Sequence, residues 1–188
     1  MLLAGAGPAG LYLAYLVRRR LPGCEIRIVE QNPRDSTFGF GVVFSERALE
    51  FLRVDDPQTY DRITPAMEAW TDITVVHRGT PVVIDGIGFS AIGRLKFLQL
   101  LRAQLETVGI SPEYGVVLGK GENLQAFDLV VAADGANSTM RRSADFGTTI
   151  TPLSNRFAWF GTTRIFETLT QTFVENESGF FNAHHYRH

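Results

Sequence analysis

The sequence has few of the residue types that mark several large protein classes. Its single cysteine, Cys24, excludes an internal disulfide and a cysteine-based metal cluster, and is typical of a reducing cytoplasm. No apolar run approaches the ~20 residues that a membrane-spanning helix needs. The formal net charge of −2 gives no attraction for nucleic acid or an anionic membrane surface. We therefore expect a cytoplasmic protein without metal, nucleic-acid or membrane partners.

What is present is the composition of an ordinary globular protein. Hydrophobic residues make up 45% of the 188 positions and charged residues 20%. This length suffices for one domain, or for one domain with part of a second. No Ser-His-Asp or Cys-His arrangement is indicated, and the adjacent His184 and His185 have no carboxylate or cysteine at ligand spacing. We therefore name no catalytic residue and no metal ligand.

A glycine-rich stretch near the N-terminus, GAGPAG, carries the first chemical signal. Gly5, Gly7 and Gly10 have the spacing G-x-G-x-x-G. The first glycine permits a tight turn, the second lets the backbone approach a pyrophosphate, and the third lets a helix pack closely on the preceding strand. Pro8 and Ala9 lie in the first turn of that helix, whose amide groups would point toward an anion.

An acidic residue follows at the distance that this motif requires. The helix after Gly10 ends at Pro22-Gly23, and the alternating stretch CEIRIVE then predicts a strand that ends in Glu30. A carboxylate at the tip of this second strand can accept hydrogen bonds from ribose hydroxyls. Loop, helix, strand and acid together predict a βαβ unit that binds a dinucleotide, but they do not distinguish NAD from FAD.

A second candidate contact lies in the stretch FDLVVAADGANSTMRR. Residues 128–133 predict a buried strand, and Asp134-Gly135 follows at its tip, where backbone can again approach a cofactor. The residues alone leave an alternative equally open. In that alternative, Asp134-Gly135 is only a turn and Ser138 only caps a helix.

The order of these motifs resembles that of the class A flavoprotein aromatic monooxygenases. That family has a glycine loop for FAD, a D-G motif near FAD and the nicotinamide donor, and a later G-D motif. Arg94, which begins a helix predicted over 94–108, resembles the family's cofactor-contacting arginine. The stretches STFGFGVVFSERALEFLR, GFSAIGR and FVENESGFFNAHHYRH are similar to the group that contains salicylyl-CoA 5-hydroxylase and aminobenzoyl-CoA monooxygenase.

The resemblance implies a reaction and a set of cofactor-binding residues. NADH or NADPH would reduce FAD, and dioxygen would then be used to hydroxylate an aromatic substrate, expected to be an aryl-CoA thioester such as salicylyl-CoA. The glycine-rich, apolar residues 38–45 would form a loop under the flavin ring or, alternatively, a tight loop that fills the core. The implied cofactor-binding residues are Gly5, Gly7, Pro8, Ala9, Gly10, Glu30, Gly41, Val42, Arg94, Asp134 and Gly135.

The implied fold is α/β. A Rossmann-like FAD-binding fold, with a βαβ unit, a parallel sheet and a hairpin inserted at about 72–84, would occupy residues 1–150. The start of an antiparallel substrate-domain sheet would occupy 151–188, with strands in RFAWFGTTRIF, TLTQTFVEN and GFFNAHHYRH. Because the G-D motif is missing, we expect an N-terminal portion of such an enzyme, inactive alone and binding FAD weakly or not at all.

Two other functions remain open. An NAD-dependent dehydrogenase would use the same glycine loop, and would bind NAD tightly without flavin. A non-catalytic nucleotide-binding or assembly module would leave strand edges unpaired, through which homo-oligomers could form. Flavin binding and NAD(P)H oxidation separate the monooxygenase from both alternatives.

Overall fold

The structure is a computed structural model that describes residues 1–118 and 123–188. Contacts divide the chain into two compact units, each assembled from two separate stretches. Unit 1 comprises Met1–Thr37 and Phe97–Ala158, and unit 2 comprises Phe38–Lys96 and Trp159–His188. In chain order the elements are β1 (Leu2–Ala4), α1 (Pro8–Arg20), β2 (Arg27–Glu30), β3 (Gly41–Ser45), α2 (Glu46–Asp55), α3 (Pro57–Ile63), β4 (Glu68–Trp70), β5 (Ile73–His77), β6 (Thr80–Ile84), β7 (Phe89–Gly93), α4 (Arg94–Glu106), β8 (Glu113–Tyr114), β9 (Val130–Ala132), β10 (Leu169–Asn176) and β11 (Gly179–His185).

Unit 1 is built on a parallel sheet with the strand order β8-β2-β1-β9. In the central strand, Leu3 lies opposite Ile28 on one side and Val131 on the other. The helix α1 connects β1 to β2, as parallel strands require a crossover. The carboxyl ends of β2, β1 and β9 therefore lie side by side at one edge of the sheet.

Apolar side chains from strands and helices form the core of unit 1. Leu2 and Leu3 are fully buried, which is typical of a central parallel strand with a continuous apolar sequence. From α1, Leu11 and Ala14 are also fully buried, as the helical spacing of its apolar residues predicts. The apolar stripe of α4 is likewise core, and its residue Leu105 is fully buried.

Unit 2 contains two sheets, with the strand orders β11-β10-β5-β6 and β3-β7-β4. The predicted hairpin is confirmed: β5 and β6 pair antiparallel across Arg78 and Gly79, which both have positive φ angles. Strands β10 and β11 are also antiparallel, and β10 pairs parallel with β5. A small core of Trp70, Ala91 and Leu169 holds this unit together.

The predicted α/β class, with parallel and antiparallel sheets, is confirmed. Helix α2 is capped by the side chain of Ser45. Ser45 Oγ accepts a hydrogen bond of 3.2 Å from the backbone N–H of Ala48. The loop predicted over 38–45 is partly wrong, because residues Gly41–Ser45 form strand β3. The β-branched pair Val42-Val43 favours extended backbone, and β7 supplies the partner strand.

The strand predicted in RFAWFGTTRIF is wrong. Residues 156–166 form no strand, because no neighbouring strand pairs with their backbone within the part of the chain that the structure describes. The aromatic residues that suggested a strand are exposed here: Phe157 by 80% and Phe160 by 88%. Aromatic content alone therefore did not indicate a strand in this segment.

Over 1–118 and 123–188, no helix combines the length and the apolar character needed to cross a membrane. Across the same ranges, no three His, Cys, Asp or Glu side chains are grouped so that they could hold a metal ion.

Candidate functional site

The candidate site of unit 1 lies where three neighbouring parallel strands end. Strand β1 leads into Gly5, β2 ends at Glu30, and β9 leads into Asp134. Two backbone hydrogen bonds join these tips: Gly5 N–H donates to the Val29 carbonyl at 2.8 Å, and Ala133 N–H donates to the Ala4 carbonyl at 2.7 Å. In open α/β sheets, this edge is where ligands bind.

The first and third glycines of the loop are required by close backbone contacts. A side chain at Gly5 would place its Cβ 2.3 Å from the Ala133 carbonyl oxygen, and the φ angle of Gly5 is +106°. A Cβ at Gly10 would lie 2.0 Å from the carbonyl oxygen of Gly5. Both distances are far below van der Waals contact, so α1 can approach β1 and β9 only with glycine at these positions.

Gly7 differs because nothing within 4 Å would meet a Cβ placed there. It is the N-cap of α1 and makes no side-chain cap hydrogen bond, and the first turn of α1 contains no acidic residue. Pro8 begins the helix and has no N–H, while the exposed Ala9 carries one of the amide groups that a helix start leaves without an intrahelical partner. This open, uncapped turn fits a phosphate group.

Glu30 fastens the loop to the tip of β2. Its Oε2 accepts a hydrogen bond of 2.9 Å from the backbone N–H of Ala6, inside the glycine loop. Its Oε1 accepts from the backbone and side-chain nitrogens of Asn32, at 2.9 and 2.7 Å. A carboxylate offers about four acceptor positions, so one position on Oε2 remains for a ligand hydroxyl.

Asp134 organises the turn that follows β9. Its Oδ2 accepts hydrogen bonds from Thr139 N–H at 2.7 Å, from Thr139 Oγ1 at 3.1 Å and from Met140 N–H at 3.2 Å. Burial alone would raise the pKa of the Asp134 carboxyl, but hydrogen bonds from Ser138, Met140 and Thr139 outweigh burial and hold the pKa below its usual value. The turn is thus fixed by a charged acceptor.

The same turn contains a glycine, Gly135, whose exposed backbone a ligand can approach. Gly135 has a φ angle of +82° and nothing within 4 Å of its Cβ position. Ser138 N–H donates to the Gly135 carbonyl at 3.1 Å, and Ser138 Oγ accepts from Arg141 N–H at 2.9 Å. Asp134-Gly135 thus belongs to a turn, as the structural alternative expected. The helix that Ser138 was expected to cap is wrong, because residues 139–142 form a turn and no helix. An open cavity of about 620 Å³ adjoins Asp134 and Gly135.

The remaining predicted residues, Gly41, Val42 and Arg94, lie in unit 2. Gly41 pairs with Gly93 and Val42 with Ile92 in the β3–β7 ladder. Arg94 is the first residue of α4, and its N–H donates to the Phe40 carbonyl at 2.8 Å. Its half-buried side chain has a buried Nε without a hydrogen-bond partner among the described residues.

Sequence reasoning missed contacts at the candidate residues of both units. In unit 1 they are the Ala6 N–H that Glu30 binds and the Ala133 carbonyl that excludes a side chain at Gly5. These are backbone groups, so residue type carried no signal for them. In unit 2 they are the rings of Tyr186 and His188, which lie on Gly41. Only the pairing of β3 with β7 and the course of the chain after β11 reveal that contact.

Comparison with known proteins identifies relatives over nearly the whole chain. No protein-family model matches. The chain is 38% identical over 184 residues to a salicyloyl-CoA 5-hydroxylase of a Streptomyces species, covering 97% of the chain and 36% of that protein. It is 34% identical over 188 residues to the 3-hydroxy-4-methyl-anthranilyl-[aryl-carrier protein] 5-monooxygenase of Streptosporangium sibiricum, covering 99% and 53%. The chain thus spans about half the length, or less, of these curated relatives.

Solved structures share the fold at lower sequence identity. A variant of Pseudomonas aeruginosa PqsL superposes with a TM-score of 0.69 at 17% identity, over 99% of this chain and 56% of that one. A Photorhabdus luminescens protein described as an FAD-containing monooxygenase has a TM-score of 0.58 at 19% identity, over 76% and 41%. The chain is therefore a homologue of monooxygenases, as its resemblance to the class A flavoprotein aromatic monooxygenases predicts.

Proposed function

We propose that this chain is the FAD-binding part of an oxidoreductase that hydroxylates an aromatic ring with dioxygen and NADH or NADPH. The substrate class that its relatives suggest is an aryl thioester of coenzyme A or of a carrier protein. The functional division into an FAD-binding domain at 1–150 and a substrate-binding part at 151–188 stays a prediction, and so does a cytoplasmic location.

A single observation carries the proposal. The glycine loop, Glu30 and the turn at Asp134 meet at the carboxyl ends of three adjacent parallel strands. Each contributes what one part of an adenosine diphosphate needs: an open helix start for phosphate, a carboxylate for ribose hydroxyls, and closely approaching backbone. The Rossmann-like assignment of unit 1 rests on this convergence.

Each residue has a stated task in holding the cofactor. The amide groups after Gly7 would hold the pyrophosphate. Pro8 begins the helix at a position where an N–H would have no intrahelical partner, so its missing N–H costs no helical hydrogen bond. Glu30 would accept a ribose hydroxyl with the free acceptor position of its Oε2. Asp134 would fix the turn so that Gly135 presents its backbone. The cofactor contact of Arg94, in unit 2, stays a prediction, and the buried Nε of Arg94 has no hydrogen-bond partner among the described residues.

When bound, FAD supplies the redox chemistry: it takes a hydride from the nicotinamide and activates dioxygen. No protein nucleophile is required for such chemistry. The task of the chain is therefore to bind and orient the cofactor and to exclude water from the reacting ring. This agrees with the sequence, which indicates no catalytic triad.

Binding of FAD and NAD by this chain tests the proposal. We expect weak retention of FAD on ultrafiltration and weaker retention of NAD, although both contain the adenosine diphosphate that the glycine loop would hold. Tight NAD binding with no FAD binding would favour the dehydrogenase. Homo-oligomers on size-exclusion chromatography, together with absence of binding to either nucleotide, would favour the assembly module.

A further inference from the structure

A buried arginine of α4 holds the turn that follows β2 in unit 1. Arg102 is 4% exposed, and its guanidinium donates from Nη1 to the Arg34 carbonyl and from Nη2 to Asp35 Oδ1. The second of these contacts is an ion pair of 3.0 Å, between a buried side chain and one that is 68% exposed. One side chain of α4 thus holds two consecutive residues of the turn.

A second ion pair joins the same helix to the same turn. Arg34 Nη2 lies 3.0 Å from Oε1 of Glu106, which follows Arg102 by one helical turn on α4. The two side chains of this pair are 59% and 47% exposed, so the pair contributes little by itself. The buried contacts of Arg102 therefore supply most of the attachment.

The turn is continuous with the residue that orients the Glu30 carboxylate. Ser36 N–H donates to the Pro33 carbonyl at 3.0 Å, and Pro33 directly follows Asn32. Asn32 donates to Glu30 Oε1 from its backbone and its side chain, which leaves Oε2 for the Ala6 N–H and for a ligand. Displacement of the turn would therefore displace Asn32 and rotate the carboxylate.

The burial of Arg102 has a cost that an apolar residue would not have. Taking a guanidinium out of water is unfavourable, and an ion pair with an exposed carboxylate offsets only part of that cost. The Nε of Arg102 also has no hydrogen-bond partner among the described residues. By contrast, Leu101 and Leu105 of the same helix are buried without any polar group. Arginine at this position is thus better suited to fixing one conformation of the turn than to adding stability.

We propose that Arg102 is a positioning residue for ribose recognition. By holding the turn at 33–36 it fixes Asn32, and through Asn32 it directs the free acceptor position of Glu30 Oε2 toward a ribose hydroxyl. The recognition of a ribose rests on the proposed function, whereas the attachment of the turn to α4 rests on contacts within unit 1 alone.

Two nucleotides that differ only in their ribose hydroxyls isolate this role. Adenosine diphosphate carries both hydroxyls and its 2′,3′-dideoxy analogue carries neither, while both keep the pyrophosphate that the glycine loop would hold. Calorimetric titration of the 188-residue chain should show about five- to tenfold tighter binding of adenosine diphosphate, because one hydrogen bond to the Glu30 carboxylate is gained. We call this ratio of the two dissociation constants the hydroxyl preference.

Substitution of Arg102 should change the hydroxyl preference selectively. Arg102→Met keeps the length of the side chain but removes both donors to the turn. We expect the preference to fall to about twofold or less, with the dissociation constant of the dideoxy analogue unchanged. A chain that is merely destabilised would instead lose affinity for both nucleotides alike. Arg102→Lys keeps the charge without the forked donors and should recover part of the preference.

Further variants keep the test independent of how well Arg102→Met folds. Asp35→Ala removes only an exposed carboxylate and should lower the hydroxyl preference about two- to threefold. Adding Arg102→Met to Glu30→Gln should lower it no further than Glu30→Gln alone, because Arg102 would act through Glu30. The control is Arg27→Met, which removes an arginine that pairs with Glu113 at the opposite end of β2 and should leave the preference unchanged.

A measurement without nucleotide separates this inference from the proposed function. The side-chain amide of Asn32, which donates to Glu30 Oε1 at 2.7 Å, should give an NMR signal shifted from that of an unfolded peptide. Arg102→Met should move this signal toward the unfolded value. If the signal stays in place, or if Arg102→Met and Asp35→Ala keep the parent's hydroxyl preference, Arg102 does not position the site. If the signal moves but the parent chain binds neither nucleotide, the attachment of the turn stands and the proposed function alone fails.

Discussion

The two candidate places in this molecule differ in what makes glycine necessary. In unit 1, backbone crowds the glycines: Gly5 faces a carbonyl oxygen at 2.3 Å and Gly10 faces one at 2.0 Å. In unit 2, Gly41 faces the ends of two side-chain rings. Strands and helices hold backbone atoms in place, whereas rings can rotate away. A glycine can thus be required by rigid backbone or by side chains that can move, and the stability lost on substitution by alanine distinguishes the two.

The largest effect is expected at Gly10. Alanine inside a helix usually stabilises it relative to glycine by ~1 kcal/mol, but Gly10→Ala should destabilise unit 1 by about 3 kcal/mol or more, because its Cβ overlaps a carbonyl that cannot move. Urea denaturation followed by circular dichroism measures this change. Gly23→Ala is the control, since its Cβ position is open and its stability should change by less than about 1 kcal/mol. Equal stability of the two variants would show that α1 does not pack as closely against the backbone of Gly5 as described.

A smaller effect is expected at Gly41. Gly41→Ala should cost about 1–3 kcal/mol, because the rings of Tyr186 and His188 must shift by several tenths of an ångström. Gly93→Ala is the matched comparison in the same ladder, with only ordinary contacts at 3.6 and 3.9 Å, and should cost less. Adding His188→Ala to Gly41→Ala should recover part of the loss, as a double-mutant cycle would measure. Strict additivity would contradict the contact.

The Asp134 carboxylate is expected to have a comparable or smaller effect on the free energy of unfolding, and this effect depends on pH. Its pKa is lowered in the folded state, so the stability it contributes is present above the unfolded pKa, near 3.9, and is lost as pH falls through the lower folded value. Denaturation at a series of pH values below 5 should therefore show a weaker acid dependence for Asp134→Asn than for the parent chain. Parallel curves of unfolding free energy against pH for the two proteins would show that the charge of Asp134 does not stabilise this turn.

The smallest effect is expected from His185 in unit 2. Its ring stacks on Phe166 at 4.4 Å, and burial, with Arg164 and His184 nearby, lowers its pKa. The folded state therefore binds the proton less readily, so stability should fall as pH drops from near 6.5 through the lower folded pKa. NMR titration of the imidazole should give a pKa below that of a model peptide, and His185→Gln should flatten the stability curve in this window. A pKa at or above 6.5 would contradict the burial of this ring.

The same contrast explains which features the sequence predicted. In unit 1, the glycine spacing, the apolar strands and Glu30 are close along the chain, so local rules located them and the structure joins Glu30 to the loop. In unit 2, Gly41 meets Tyr186 and His188 only because β3 pairs with β7 and the chain returns after β11. Such long-range pairing leaves no local pattern. The failed strand over 156–166 has the same cause, since a strand needs a partner that composition does not specify.

Titration with adenosine diphosphate tests the central claim most directly. Calorimetry should show weak binding to the parent chain, with a dissociation constant on the order of 0.1–1 mM. Gly7→Ala should weaken it by about tenfold or more at an unchanged thermal midpoint, because a methyl group enters the open space where the phosphate would lie, while Gly23→Ala should bind as the parent does. No binding to the parent chain, or equal binding by the Gly7→Ala variant, would contradict the assignment of the glycine loop to a dinucleotide.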